Sequence, residues 1–137
     1  MLCLQQVQLL INKYLSFMDF PLFRRQLLEN INAYKSSFCS PSHRVGFSMK
    51  ANHSPEILRV ILDQGLSVVA VSGCEVMLAL KLGFTGDKIF YNGVGKQPWE
   101  VGVAVQSGCY LNVDSVFDAK LICNISREKD KTVQVEI

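Results

Sequence analysis

An α/β fold of parallel strands follows from three features of this 137-residue chain. Apolar, β-branched runs begin near Val45, Leu66, Lys88, Cys109 and Thr132, at intervals of 21, 22, 21 and 23 residues. Each interval holds one amphipathic helical pattern, and turn or cap residues punctuate the change from one kind of segment to the other. The chain therefore reads as a strand and helix repeat with five strands. Parallel neighbours need a crossover between them, and such crossovers are right-handed, so helices must cover the sheet. Two architectures satisfy this: an open, doubly wound five-stranded sheet, or the first part of a closed eight-stranded βα barrel, which needs about 250 residues.

The elements can be justified in order. Residues 1–20 are apolar in part, but Gln5, Gln6, Gln8, Asn12, Lys13 and Asp19 interrupt them, with no charged leader region or cleavage site; they read as an irregular or helical lead-in. Residues 21–137 form the domain proper. Leu27, Leu28, Ile31 and Tyr34 share one face of a helix over about 24–37, which leads into the first strand. Ser54-Pro55-Glu56 starts the next helix, with Ser54 as its N-cap, proline at its first position and a stripe of Ile57, Leu58, Ile61 and Leu62. Ser72-Gly73-Cys74-Glu75 is a capping box ahead of Val76, Ala79, Leu80 and Gly83. Gln97-Pro98 opens a further helix. Ser115-Val116-Phe117-Asp118 opens the last, with Phe117, Leu121, Ile122 and Ile125 as its stripe. Gly65, Gly83 and Gly108 stand where helices must stop.

Composition narrows the function classes. Hydrophobic residues make up 49% of the chain, enough for a core, and the formal charge of +2 is spread without a basic run longer than Arg24-Arg25. Nothing recommends nucleic acid or a membrane as partner. Five cysteines without a Cys-x-x-Cys pair, and two histidines at no ligand spacing, point to reduced thiols, no metal and a cytoplasmic setting.

Both candidate folds place ligands at the carboxyl ends of the strands, so the informative residues are Lys50, Ser72, Asn92 to Lys96, Asp114 and Ser115. Lys50 stands out among them. An amine at the end of an apolar strand, beside small residues that leave room for a ligand, can act as a nucleophile toward an aldehyde, although on the strand alone a solvent-facing lysine is the ordinary case. Glu75 reads as a helix cap rather than a catalytic acid, and Asp114 as turn chemistry. Gly93-Val94-Gly95-Lys96 lacks the full spacing and the hydroxyl of a phosphate loop and reads as a close-packed loop. Trp99 and Tyr91 read as packing residues.

The run Phe47-Ser48-Met49-Lys50-Ala51-Asn52, followed by the spacing of Ile57, Leu58, Ile61 and Gly65, resembles the first signature of the fold-type III pyridoxal phosphate decarboxylases, the group acting on diaminopimelate, ornithine and arginine. The resemblance continues in register through Val71-Ser72-Gly73-Cys74-Glu75, Leu80-Lys81-Leu82-Gly83-Phe84, Phe90-Tyr91-Asn92-Gly93-Val94-Gly95-Lys96 and Leu111-Asn112-Val113-Asp114-Ser115, and is greatest toward the diaminopimelate branch. It implies a partial TIM barrel of the alanine racemase-like type, about five parallel strands with outer helices. It implies pyridoxal 5'-phosphate as cofactor, Lys50 as the catalytic and cofactor-binding lysine, an amino acid as substrate and a homodimer in the full-length form. Ser48 replaces the usual Ala or Pro, and Val69 stands where many members carry an Asp. The resemblance further implies an N-terminal barrel portion ending at the fifth strand, inactive alone, with a plastid as the alternative setting if a leader precedes it. A non-catalytic relative of ornithine decarboxylase is the competing reading. An open-sheet signalling domain would need an acidic pocket that these strand ends do not offer.

Overall fold

The computed structural model describes residues 20–37 and 44–136, and the chain divides into two units, Met1–His43 and Arg44–Ile137. Except for Phe20, the expected lead-in lies outside the described residues. In the first unit α1 spans Phe20–Ser37. Ile31 is buried, with Leu27 and Leu28 half-buried, whereas Tyr34 is 63% exposed and does not belong to the buried stripe.

The second unit runs β1 (Gly46–Ser48), α2 (Pro55–Asp63), β2 (Ser67–Ala70), α3 (Gly73–Leu82), a 3-10 turn at Gly86–Lys88, β3 (Ile89–Tyr91), α4 (Pro98–Ser107), β4 (Tyr110–Asn112), α5 (Val116–Glu128) and β5 (Gln134–Glu136). All five strands are parallel, in the order β1-β2-β3-β4-β5. A doubly wound sheet must reverse its order somewhere to place helices on both faces, and this sheet never does. Sequential order with right-handed crossovers puts every helix on one side, so the open-sheet alternative is overturned in favour of the barrel-type arrangement.

The core lies between that helical layer and one face of the sheet. Val68, Ala70, Ile89, Tyr91 and Leu111 alternate along their strands and are buried. Ile57, Leu58, Val60 and Ile61 of α2, Val76 and Ala79 of α3, Val101, Ala104 and Val105 of α4, and Ile122 and Ile125 of α5 complete it. Each large member contributes about 2 kcal/mol on burial. Phe117 departs from expectation at 75% exposed. The inward stripe of α5 is Asp118, Ile122 and Ile125 at i, i+4 and i+7, so an acid occupies the place expected for an aromatic ring and turns Phe117 outward.

The punctuation is largely as the sequence predicts. The Ser72 hydroxyl accepts from the Glu75 amide at 3.3 Å, and α3 ends at Gly83 with φ 104°, a left-handed cap that disfavours any side chain. Ser54 differs from expectation: its hydroxyl donates to the Glu56 carboxylate instead of capping α2, and the Asn52 side chain accepts from the Ser54 amide at 2.9 Å.

Gly86 joins the α3 end of the chain to the turn before β4. A Cβ there would sit 1.9 Å from the Ser107 carbonyl oxygen and 2.7 Å from the Gly108 carbonyl carbon, both backbone atoms with no rotamer to yield. Gly86→Ala is therefore expected to cost about 3 kcal/mol in urea unfolding, while Asp87→Ala, at an exposed neighbour, stays within about 0.5 kcal/mol.

Candidate active site

Within the second unit, the face of the sheet away from its helices is covered by no helix of that unit. Strand register places Ser48, Val69, Phe90 and Tyr110 in one row across it. Phe90 and Tyr110 stack with ring centroids 4.8 Å apart, and the Arg44 guanidinium lies 4.8 Å from the Tyr110 centroid and 5.9 Å from that of Phe90. Such cation and ring contacts add about 0.5–1 kcal/mol at an exposed site. They form an aromatic floor.

Two residues further along each strand, the same face carries Asn92 and Asn112. The Asn112 Nδ2 donates to Asn92 Oδ1 at 3.0 Å, so the carboxyl ends of β3 and β4 end in a linked pair of carboxamides. Lys50 is exposed and follows β1 directly, next to a fully buried Met49 whose amide donates to the Val69 carbonyl at 3.0 Å. The Ala51 amide donates to the Ser48 carbonyl at 3.2 Å and turns the chain back over the strand end.

Behind the rim, on the helix side, lies a buried ionic cluster. The Lys96 side chain is fully buried, with Nζ 2.6 Å from Asp118 Oδ2, 3.8 Å from Asp114 Oδ1 and 5.6 Å from the Tyr91 ring centroid. Asp118 is held in turn by its own amide, which donates to the Ser115 hydroxyl at 3.0 Å. Gly93 is pressed against the loop after β2: a Cβ there would lie 2.5 Å from the Val71 carbonyl oxygen. Gly93 and Lys96 are thus packed at the two ends of the segment while Val94 between them is 85% exposed, so the close packing that its sequence suggests holds only at its ends, and Lys96 is committed to an ion pair.

Glu100 ties the same region to α3. Its carboxylate accepts from the Gly73 amide at 2.7 Å and the Gln97 amide at 2.9 Å, and also from the Tyr91 hydroxyl. Burial alone would raise the Glu100 carboxyl, but these donors, together with nearby Lys96, outweigh it and hold the group below its ordinary 4.5. Burial, with Glu100 beside it, pushes the Tyr91 hydroxyl well up. A carboxyl depressed by folding adds stability above its unfolded pKa, and that stability is lost as pH falls through the folded value. Urea midpoints should therefore drop as pH falls below 4.5, with a shallower drop in Glu100→Gln.

The sequence-selected residues divide accordingly. Ser72 and Glu75 are helix caps, with the Glu75 carboxylate accepting from the Val71 amide at 2.8 Å. Asp114 belongs to the Lys96 cluster. Tyr91 is packed, as expected, whereas Trp99 is 51% exposed, with one edge of its ring close to Gly73. Asn112, Asp118 and Glu100 join the region through contacts that their sequence positions do not mark. Asp118 had one visible signal, its place three residues after the Ser115 cap. A groove lined by Leu80, Pro98, Trp99, Val103 and Lys129 lies on the outer helical layer and contains none of Lys50, Asn92 or Asn112. Among the described residues no group of three His, Cys, Asp or Glu could hold a metal ion, and no helix is long and apolar enough to cross a membrane.

Residues 24–137 match the family described as pyridoxal-dependent decarboxylase, pyridoxal binding domain. The chain is 34% identical over 110 residues to a probable chloroplastic diaminopimelate decarboxylase of Oryza sativa subsp. japonica, covering 80% of this chain and 22% of that protein. It is 32% identical over 112 residues to the diaminopimelate decarboxylase of Bacteroides thetaiotaomicron, covering 81% of this chain and 28% of that one. Among solved structures, diaminopimelate decarboxylase of Helicobacter pylori complexed with L-lysine superposes with a TM-score of 0.78 at 26% identity, over 82% of this chain and 29% of that one. The chain spans about a quarter of the length of these relatives.

Proposed function

The chain belongs to the pyridoxal-dependent decarboxylases, through their pyridoxal-binding domain, and on that premise we propose that Lys50 carries pyridoxal 5'-phosphate in an amino-acid decarboxylase of diaminopimelate type. The observation that supports this reading is an exposed primary amine just past the carboxyl end of β1, at the lysine of the signature that the chain resembles. The residues present fit the group. An aldehyde cofactor needs a reachable primary amine, and the open face beside β1 offers an aromatic floor with a carboxamide rim, polar enough to orient a ring, with Glu136 of β5 in register with Asn112 at its far edge. Val69, on that face, is apolar.

When bound, the cofactor accepts the electron pair released as a carboxylate leaves the α-carbon as carbon dioxide. The chain's own residues have the other tasks. Lys50 would hold the cofactor by its amine, and its Nζ is a group that can carry a proton beside it. Met49, fully buried, anchors the backbone from which Lys50 projects. The stitched loops after β2, β3 and β4 fix one wall of the site, since catalysis here rests on holding the bond to be broken in one orientation.

The test is carbon dioxide release from carboxyl-labelled diaminopimelate, ornithine, arginine and lysine, by a protein carrying this chain within the full length of its relatives. Diaminopimelate is the expected substrate, and a homodimer in the cytoplasm or a plastid the expected form. The 137 residues alone should be no faster than free pyridoxal phosphate, because the sheet edges β1 and β5 and the open face leave the site one-sided. A second reading, a non-catalytic relative, draws on Val69 standing where many members carry an acid. It would be favoured by a full-length protein that neither takes up the cofactor nor releases carbon dioxide.

A further inference from the structure

We propose that the buried Lys96–Asp118 ion pair is a positioning device, which fixes the loops after β3 and β4 so that the Asn92–Asn112 carboxamide pair is presented to a ligand at Lys50. The ligand part of this inference rests on the function proposed above; the mechanical part does not. The same two loops are joined twice, on opposite sides of the sheet. Lys96, four residues past Asn92, meets Asp118, six residues past Asn112, at 2.6 Å on the helix side. The two asparagines meet at 3.0 Å on the open side.

The two links differ in kind. The ionic one is sealed, with side-chain exposures of 0% and 5%, and its lysine is further confined by Tyr91 and Asp114. The amide link is exposed to water, where a single neutral hydrogen bond contributes only about 1 kcal/mol and cannot set loop geometry alone. Buried ion pairs are also poor stabilisers: an apolar pair of similar volume is often as stable or more so, whereas the charged pair fixes one register. A device of this kind is therefore explained by what it aligns. The aligned pair retains unused capacity. One N–H of Asn112 and Oδ1 of Asn92 face each other, which leaves the Asn92 N–H donors and the Asn112 Oδ1 acceptor without another side-chain partner among the described residues. A ligand edge that offers an oxygen acceptor to Asn92 and a donor to Asn112 matches them.

The experiment compares the full chain with Lys96→Met/Asp118→Leu and Asn92→Ala. It reads the urea midpoint, the side-chain amide NMR signals of Asn92 and Asn112, and the fraction of Lys50 fixed by borohydride at one pyridoxal phosphate concentration. The double variant should keep its midpoint, lose the distinct Asn112 amide signals and label Lys50 about tenfold less, and Asn92→Ala should reproduce the labelling loss. Wild-type amide signals and labelling in the double variant would overturn the proposal. If the wild type takes no label at Lys50, the cofactor reading fails separately, and the amide signals alone decide whether the ion pair sets the rim. Should the double variant unfold, Lys96→Arg, which keeps the charge in a longer side chain, carries the same readings: displaced amide signals support the proposal and unchanged ones overturn it.

Discussion

Lys50→Ala is expected to abolish borohydride-fixed labelling by pyridoxal phosphate at the end of β1, and to lower decarboxylation by about a thousandfold or more in a full-length protein carrying this chain. The magnitude follows from what the residue supplies. No other side chain of the loop from Ala51 to Ser54 is a primary amine, so the aldehyde loses its covalent anchor and the reacting group loses its fixed position. Lys50→Arg should be equally inactive, since a guanidinium retains the charge but does not condense with aldehydes at neutral pH. Folding should be unchanged, because Lys50 is exposed and its neighbour Met49 supplies the packing. Peptide mapping of the reduced product gives the decisive reading: undiminished label in Lys50→Ala would assign the modification to other surface lysines.

The second large effect is on stability. Asp118→Ala should cost about 3–5 kcal/mol in urea unfolding, because it strands the Lys96 ammonium inside the helical layer with only Asp114 at 3.8 Å. It also removes the acid in the first turn of α5, where a negative charge is favoured. Lys96→Met should cost less. The Asp118 carboxylate left behind keeps its place at the helix start and lies 3.5 Å from the Asp114 amide. Asp114→Ala, which removes a partly exposed and more distant carboxylate, should stay under about 1 kcal/mol. Equal losses for Asp118→Ala and Asp114→Ala would show that the 2.6 Å contact carries no special weight.

Much of this fold is legible in the sequence, for a physical reason. Strands buried on one face and helices buried along one stripe impose periods of about 2 and 3.6 residues, and Gly83 and Gly108 mark chain reversals that need a left-handed residue. The sheet's order is not legible in that way, since a spacing near 21 residues suits an open sheet and a barrel equally; register decides it. Hydrophobicity alone puts Tyr34 and Phe117 in buried stripes, and both are exposed. For Phe117 the reason is that the inward position in the first turn of α5 is taken by Asp118. An acid becomes the better inward residue only when a buried cation faces it. That cation, Lys96, lies 22 positions away, so neither partner carries a local mark. The role proposed for Lys50 rests on its place in a family signature, since no local pattern separates it from a solvent-facing lysine. The Asn92–Asn112 pair, set by strand register, emerges only when the strands are laid side by side.

The strand order β1-β2-β3-β4-β5 bears on how the chain is made. Each strand docks on the one that left the ribosome just before it, so no segment must wait for a distant partner. Synthesis at about 5–20 residues per second delivers one strand and helix pair every few seconds, whereas helices and short loops form in microseconds. The molecule can therefore grow as it emerges, each new strand using the free edge of the last as its template. The loop bearing Lys50 is then laid down first, and the wall that faces it is added one repeat at a time.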